Sequence, residues 1–231
     1  MKKSIFALSV LILVLACAGE KEHPLSVDIK PAMENGTVEK IAVFPFLSAL
    51  LEADDPDRVA PQMMDHYFTP VLDKRNDYKF ISSGTVIFAI QGHEFLEPKY
   101  KQFLEEYPRT GKIDPEFFDR LAETLNADAF LIPVVDLWQK DEVDYRENAT
   151  PATYVGATVT VTDRSGQAIL FRAVDEDYIE GARSEASDRG VVSTYGRVRS
   201  DAGAKTHRAP PFDEVAVKVI NSLVGSLPRR E

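Results

Sequence analysis

Apolar and polar positions change their spacing several times along this chain, and each change predicts an element. Lys40-Ile41-Ala42-Val43-Phe44-Pro45-Phe46 is a dense, β-rich apolar run closed near a proline, the pattern of a buried strand. Val59, Met63, Met64, Tyr67, Phe68, Val71 and Leu72 then recur at steps of three and four, which is one face of a helix. Pro70 lies inside that pattern and is expected to kink or break it. A short strand over 78–81 is followed by Ser82-Ser83-Gly84, able to cap a short helix that ends near Ile90. Tyr100, Phe103, Leu104 and Tyr107 mark a further helix face, with Pro108 and Gly111 to end it.

The clearest helix opens at Asp114-Pro115-Glu116. Asp suits the cap, Pro the first helical position, and Glu the positive end of the helix dipole. Phe117, Phe118, Leu121, Ala122 and Leu125 form its apolar stripe, and Asn126 can close it. Residues 129–138 read as a long strand in which Pro133 removes one ladder donor, so an edge or a bulge is expected there. Val155, Ala157, Val159 and Val161 alternate with Thr158, Thr160 and Thr162, a half-buried strand with one wet face. The turn Asp163-Arg164-Ser165-Gly166-Gln167 leads into a second alternating run, and the pair reads as an antiparallel hairpin. A last helix starts after Pro210-Pro211, carries Phe212, Val215, Ala216, Val219, Ile220, Leu223, Val224 and Leu227, and stops at Pro228. The sum is an α/β (α+β) domain: a single mixed sheet with an antiparallel hairpin and helices packed on it.

The amino terminus changes the picture most. Lys2 and Lys3 precede an apolar run too short to span a bilayer, which then meets Ala16 and Cys17, the one cysteine of the chain. Val14-Leu15-Ala16-Cys17 resembles the bacterial lipobox, which implies a lipoprotein signal peptide over 1–16, cleavage before Cys17, and acylation, with palmitate among the chains. Several acyl chains on one residue hold a protein stably on a membrane. Ala18 and Gly19 after the cysteine favour the outer membrane, facing the periplasm. Residues 17–38 read as a flexible tether, residues 39–228 as the domain, and residues 181–209, rich in Gly, Ser, Arg and Asp, as a long mobile loop.

Charge then excludes a partner class. The chain carries −10, and losing Lys2 and Lys3 leaves −12, so nucleic acid is not expected. The exception is the 181–209 stretch, whose Arg183, Arg189, Arg197 and Arg199 could touch an anionic glycan, lipopolysaccharide or an acidic protein. Trp138, at the end of the long strand, is read as core-edge packing or as a partner contact.

Candidate chemistry is thin. There is no phosphate-binding glycine loop and no Gly-x-Ser-x-Gly elbow. His93-Glu94 begins like a zinc-protease helix, but Glu97 and Pro98 stand where the second histidine belongs. Asp65-His66 are neighbours in sequence and so point about 100° apart on a helix. The acidic runs Asp141-Glu142-Val143-Asp144 and Asp175-Glu176-Asp177 lack a calcium-loop pattern and read as solvated strand ends and loops. No metal, no cofactor and no catalytic residue is expected.

Two segments carry a family resemblance. Ile41-Ala42-Val43-Phe44-Pro45-Phe46, with the later Leu121-Ala122-Glu123-Thr124-Leu125-Asn126-Ala127-Asp128 and its apolar continuation, resembles an envelope superfamily. It holds the curli-secretion pore lipoprotein, the lipoprotein activators of peptidoglycan synthases and the amino-terminal domain of translocation protein TolB. The segment 209–216 is similar to other bacterial lipoproteins. The resemblance implies an anticodon-binding-domain-like fold. The lipobox and the thin chemistry together lead to the expectation of a non-enzymatic, lipid-anchored binding or scaffold protein of the envelope that docks a protein partner. The alternatives are a subunit or assembly factor of an outer-membrane secretion channel, with oligomerisation, and a hydrolase. A channel wall needs about ten alternating apolar residues per strand, and 139–148 are mostly polar.

Overall fold

The computed structural model describes residues 25–34, 37–142, 150–181 and 209–230. The strands are β1 (Ser26–Ile29), β2 (Lys40–Val43), β3 (Leu47–Ser48), β4 (Lys79–Ile81), β5 (Ala129–Asp141), β6 (Ala152–Asp163) and β7 (Ile169–Glu180). The helices are α1 (Pro31–Glu34), α2 (Val59–Leu72), α3 (Ser83–Ile90), α4 (Leu96–Thr110), α5 (Pro115–Leu125) and α6 (Phe212–Ser226). The strands form one open, mixed, seven-stranded sheet in the order β1-β7-β6-β5-β2-β4, with β3 also on β5. β4, β2 and β5 run parallel, while β5, β6, β7 and β1 are antiparallel neighbours. Among the described residues no helix is long and apolar enough to cross a membrane. The stretch read as a signal peptide and the basic 182–208 stretch lie outside the described residues.

Alternation along the strands divides the core in two. Ile41, Val43, Leu131, Val135, Val159 and Val161 face α2 and α6. Ala42, Phe44, Phe130 and Ile132 face α3, α4 and α5, where Phe44 packs among Phe103, Phe118 and Phe130 at centroid distances of 5.0, 5.7 and 5.8 Å. The second core covers only the parallel half of the sheet. The same face of β6 and β7 stays open, and its residues are the wet positions of the alternating hairpin.

Polar side chains fix the elements in place. Asp128 accepts from the backbone N–H groups of Glu39 and Lys40 at 3.0 and 2.9 Å, which pins β2 beside β5. Asp55, buried in the acidic turn, accepts from the N–H groups of Val59 and Ala60 at 2.8 and 2.9 Å and so caps α2 from outside it. Asp114 caps α5 through Glu116, and Asn126 ends it in the left-handed conformation, both as the sequence predicts.

Four expectations change. The tether reading fails for 25–34 and for Val38: β1 pairs with β7, and Met33 and Val38 are buried, because an uncovered apolar margin beside β7 takes them up. Pro70 does not break α2, which continues past it to Leu72. Pro108 lies within α4, and Gly111, left-handed with its N–H on Tyr107 O at 2.8 Å, is what ends that helix. Pro133 makes β5 neither an edge nor a bulge. Leu131 and Val135 turn their carbonyls toward the β2–β3 side, so Pro133 faces the interval between those two strands, where no acceptor waits. The bulge is at Asp136 instead.

Candidate binding surfaces

The sequence-predicted sites separate widely. Cys17, Arg183, Arg189, Arg197 and Arg199 lie outside the described residues. Trp138 is 7% exposed and stacks on Phe212 at 4.2 Å, so its indole closes the core against α6. His93 Nδ1 accepts from the N–H groups of Phe95 and Leu96, both at 3.3 Å, and caps the start of α4. His66 is exposed on α2 with its ring against Tyr67. Asp175 corrects the reading of its run as solvated. It is buried on the α6 side, where burial raises its pKa and the Ser222 hydroxyl donates to it. Among the described residues no three His, Cys, Asp or Glu gather as metal ligands.

A cleft of about 590 Å³ lies between the carboxyl-terminal end of α4, the β6–β7 turn and the open sheet face. Thr158, Thr160 and Thr162 line it from successive outward positions of β6. Thr158 Oγ1 donates to Asp136 Oδ2 at 2.9 Å. Thr160 is hydrogen-bonded to the Tyr107 hydroxyl, whose pKa burial raises. Thr162, fully buried at the inner wall, has a hydroxyl with no partner. Asp136 reaches solvent, yet the protein packed around its carboxyl raises its pKa, and Glu176 adds to the rise while the Thr158 hydroxyl opposes it. Arg109 and Arg172 also line the cleft, and neither makes an ion pair with a described residue, though the Arg172 charge lowers the Asp136 pKa in part.

Two glycines shape this region. A Cβ at Gly156 would meet Asp136 Oδ1 and Leu137 Cβ, each at 2.9 Å, so the bulge of β5 folds over a position with no side chain. Gly166, with φ +74°, turns the hairpin, and a Cβ there would come within 2.5 Å of Ile113. Neither glycine stands out in the sequence as a site signal. The even-numbered threonines do mark a wet face, but the residues that oppose them, Asp136 and Arg172, come from other strands and could not be paired with it by spacing.

Asp136 faces a threonine hydroxyl, and no histidine, lysine or cysteine lines the cleft to form a nucleophile–base pair. The other raised carboxyl, Asp65, is pushed up to about 6 by burial, against the opposing effect of the Phe46 N–H that donates to it at 2.9 Å. It lies outside the cleft lining and serves as a structural acceptor.

A second surface is apolar. α3 contains no charged residue, and only Val86 and Ile90 of its eight are buried. Phe88 on its outer side is 79% exposed, and the helix sits beside β4, the free edge of the sheet.

No protein-family model matches this chain, and no curated protein sequence matches it. Among solved structures it is similar to the PelC dodecamer from Paraburkholderia phytofirmans, with 14% identity, 90% of this chain and 99% of that one covered, and a TM-score of 0.45. It is similar to lipoprotein GNA1162 from Neisseria meningitidis with 15% identity, 63% and 88% coverage, and a TM-score of 0.40. The hypothetical protein CT253 from Chlamydia trachomatis gives 13% identity, 81% and 94% coverage, and a TM-score of 0.45. Likeness at this level assigns neither a family nor a function.

Proposed function

We propose that this protein is a non-catalytic binding or scaffold lipoprotein of a bacterial envelope, anchored through acylated Cys17 to the outer membrane on its periplasmic side, and that it docks a protein partner through the outer face of α3. The observation that carries the docking role is Phe88, a large aromatic ring 79% exposed on an uncharged helix. Exposed aromatic anchors on apolar ground are the residues that dominate protein interfaces. The lipobox-like Val14-Leu15-Ala16-Cys17 supports the anchoring role, and a cleft without a nucleophile–base pair supports a binder over a hydrolase.

Crosslinking of the full-length lipidated protein in membranes tests this. The expected result is a discrete adduct with a second protein that Phe88→Glu abolishes without changing the melting temperature. Cys17→Ala is expected to remove palmitate labelling and move the protein to the soluble fraction. An adduct that survives Phe88→Glu, an adduct made only of two copies of this chain, or recovery of monomer alone would refute docking through this face.

A further inference from the structure

The cleft beside α4 holds polar groups that the fold itself does not use, and they have complementary demands. Arg172 sits opposite Thr160 on β6 and opposite Asp28 on β1, but Asp28 forms its ion pair with Lys30 at 3.5 Å, so the guanidinium makes no ion pair with a described residue and acts on Asp136 and Tyr107 only through its charge. Arg109 reaches the same cleft from the end of α4 and likewise makes no such pair. Two arginines without an ion pair in one cleft are notable in a chain with 37 acidic and 27 basic residues. Across the floor, Asp136 uses Oδ2 for the Thr158 hydroxyl and keeps Oδ1 over Gly156, where Glu176 also approaches.

The cleft is therefore polarised. Its basic side offers guanidinium donors, its floor offers threonine hydroxyls that can donate or accept, and its acidic side offers carboxylate oxygens that only accept. A bare inorganic anion would satisfy the arginines and be repelled by Asp136 and Glu176. A neutral ligand would leave the arginines unmet. β5 and β7 are two strand spacings apart, about 9–10 Å, so one ligand must carry both kinds of group on a frame of that length. The volume lies within the range of small-molecule sites.

We infer that this cleft binds a hydroxylated carboxylate of saccharide type, a uronate-containing oligosaccharide, with its carboxylate on Arg172 and Arg109 and its hydroxyls on Thr158 and Asp136. This goes beyond the docking role of α3 and does not depend on it.

Calorimetric titration of the full-length protein in detergent with trigalacturonate tests the assignment, with maltotriose, inorganic phosphate and L-glutamate as comparison probes. Saturable binding of trigalacturonate is expected, at least tenfold tighter than that of any comparison probe. Arg172→Gln is expected to weaken it at least tenfold and Thr158→Val several-fold, while Arg120→Gln on α5 leaves it unchanged; melting temperatures verify that each variant is folded. Phe88→Glu should leave the titration untouched, which keeps this result separate from the docking experiment. No saturable binding of trigalacturonate overturns the inference. Phosphate binding as tightly would mean a simple anion site, and glutamate binding as tightly an amine-and-carboxylate site; either overturns it. An unchanged affinity in folded Arg172→Gln overturns the location.

Discussion

At the residue scale, Asp65 shows how a carboxylate can hold a fold together and still cost stability. Its oxygen fixes the Phe46 N–H where β3 begins, but the side chain is half-buried and its pKa rises from 3.8 to about 6. Between those two values the folded chain keeps a proton that the unfolded chain has released. This contribution therefore favours folding most below about pH 4, declines as pH rises to about 6, and stays low above it. Asp65→Asn keeps an oxygen acceptor for Phe46 and removes the buried charge. It is expected to stabilise the protein by about 1–2 kcal/mol at pH 7.5 and to show no such gain at pH 4. Urea denaturation of parent and variant across that range checks both, and a difference that does not change with pH would show that Asp65 does not titrate as described.

At the element scale, α6 is held at its carboxyl-terminal end by one side chain. Arg75, in the turn after α2, donates to Val224 O at 2.8 Å, Leu227 O at 3.0 Å and Pro228 O at 2.8 Å, and also pairs with Asp77. The last carbonyls of a helix have no partner of their own and carry the negative end of its dipole, so a cation there does two tasks. Arg75→Met keeps much of the side-chain volume and loses both. It should cost about 3 kcal/mol, since it also leaves Asp77 unpaired. The loss should appear first as faster hydrogen exchange at the end of α6. Uniform exchange across α6 and an unchanged denaturation midpoint would refute the role. The period of α6 is plain in the sequence, whereas its tie to Arg75 joins residues about 150 apart in the chain and is invisible there.

At the scale of the whole molecule, the margin of the sheet is set by a segment that reads as linker. β1 covers four residues of the outer side of β7, and Met33 seals the core beside it at 1% exposure. A soluble form beginning at Leu25 should be more stable than one beginning at Thr37 by about 2–4 kcal/mol, from the lost burial of Met33 and the lost ladder. The shorter form should also associate at high concentration, because the outer side of β7 becomes a longer free edge. Equal midpoints and equal light scattering for the two forms would show that β1 and α1 add nothing. The 25–34 segment was not legible as structure because its elements are only four residues long, too short to show a period.

The division between sequence and structure follows from range. Local order is set by neighbours, so apolar spacing, caps and the Gly111 and Asn126 stops were readable, and they predict α2, α5, α6 and the β6–β7 hairpin along with the fold class. The resemblance motif turns out to be structural: Phe44 and Phe46 fill opposite cores, and Asp128 pins β2 to β5. The lipobox-like run ending at Cys17 is likewise a contiguous signal that needs no fold to be read. Tertiary structure alone decided that Pro133 needs no donor, that Trp138 is core, that Phe88 stays outside, and that Arg172 from β7 and Asp136 from β5 share a cleft floored by threonines. Each of these depends on which strands lie side by side, and strand order is fixed by packing between distant segments, which no local period records.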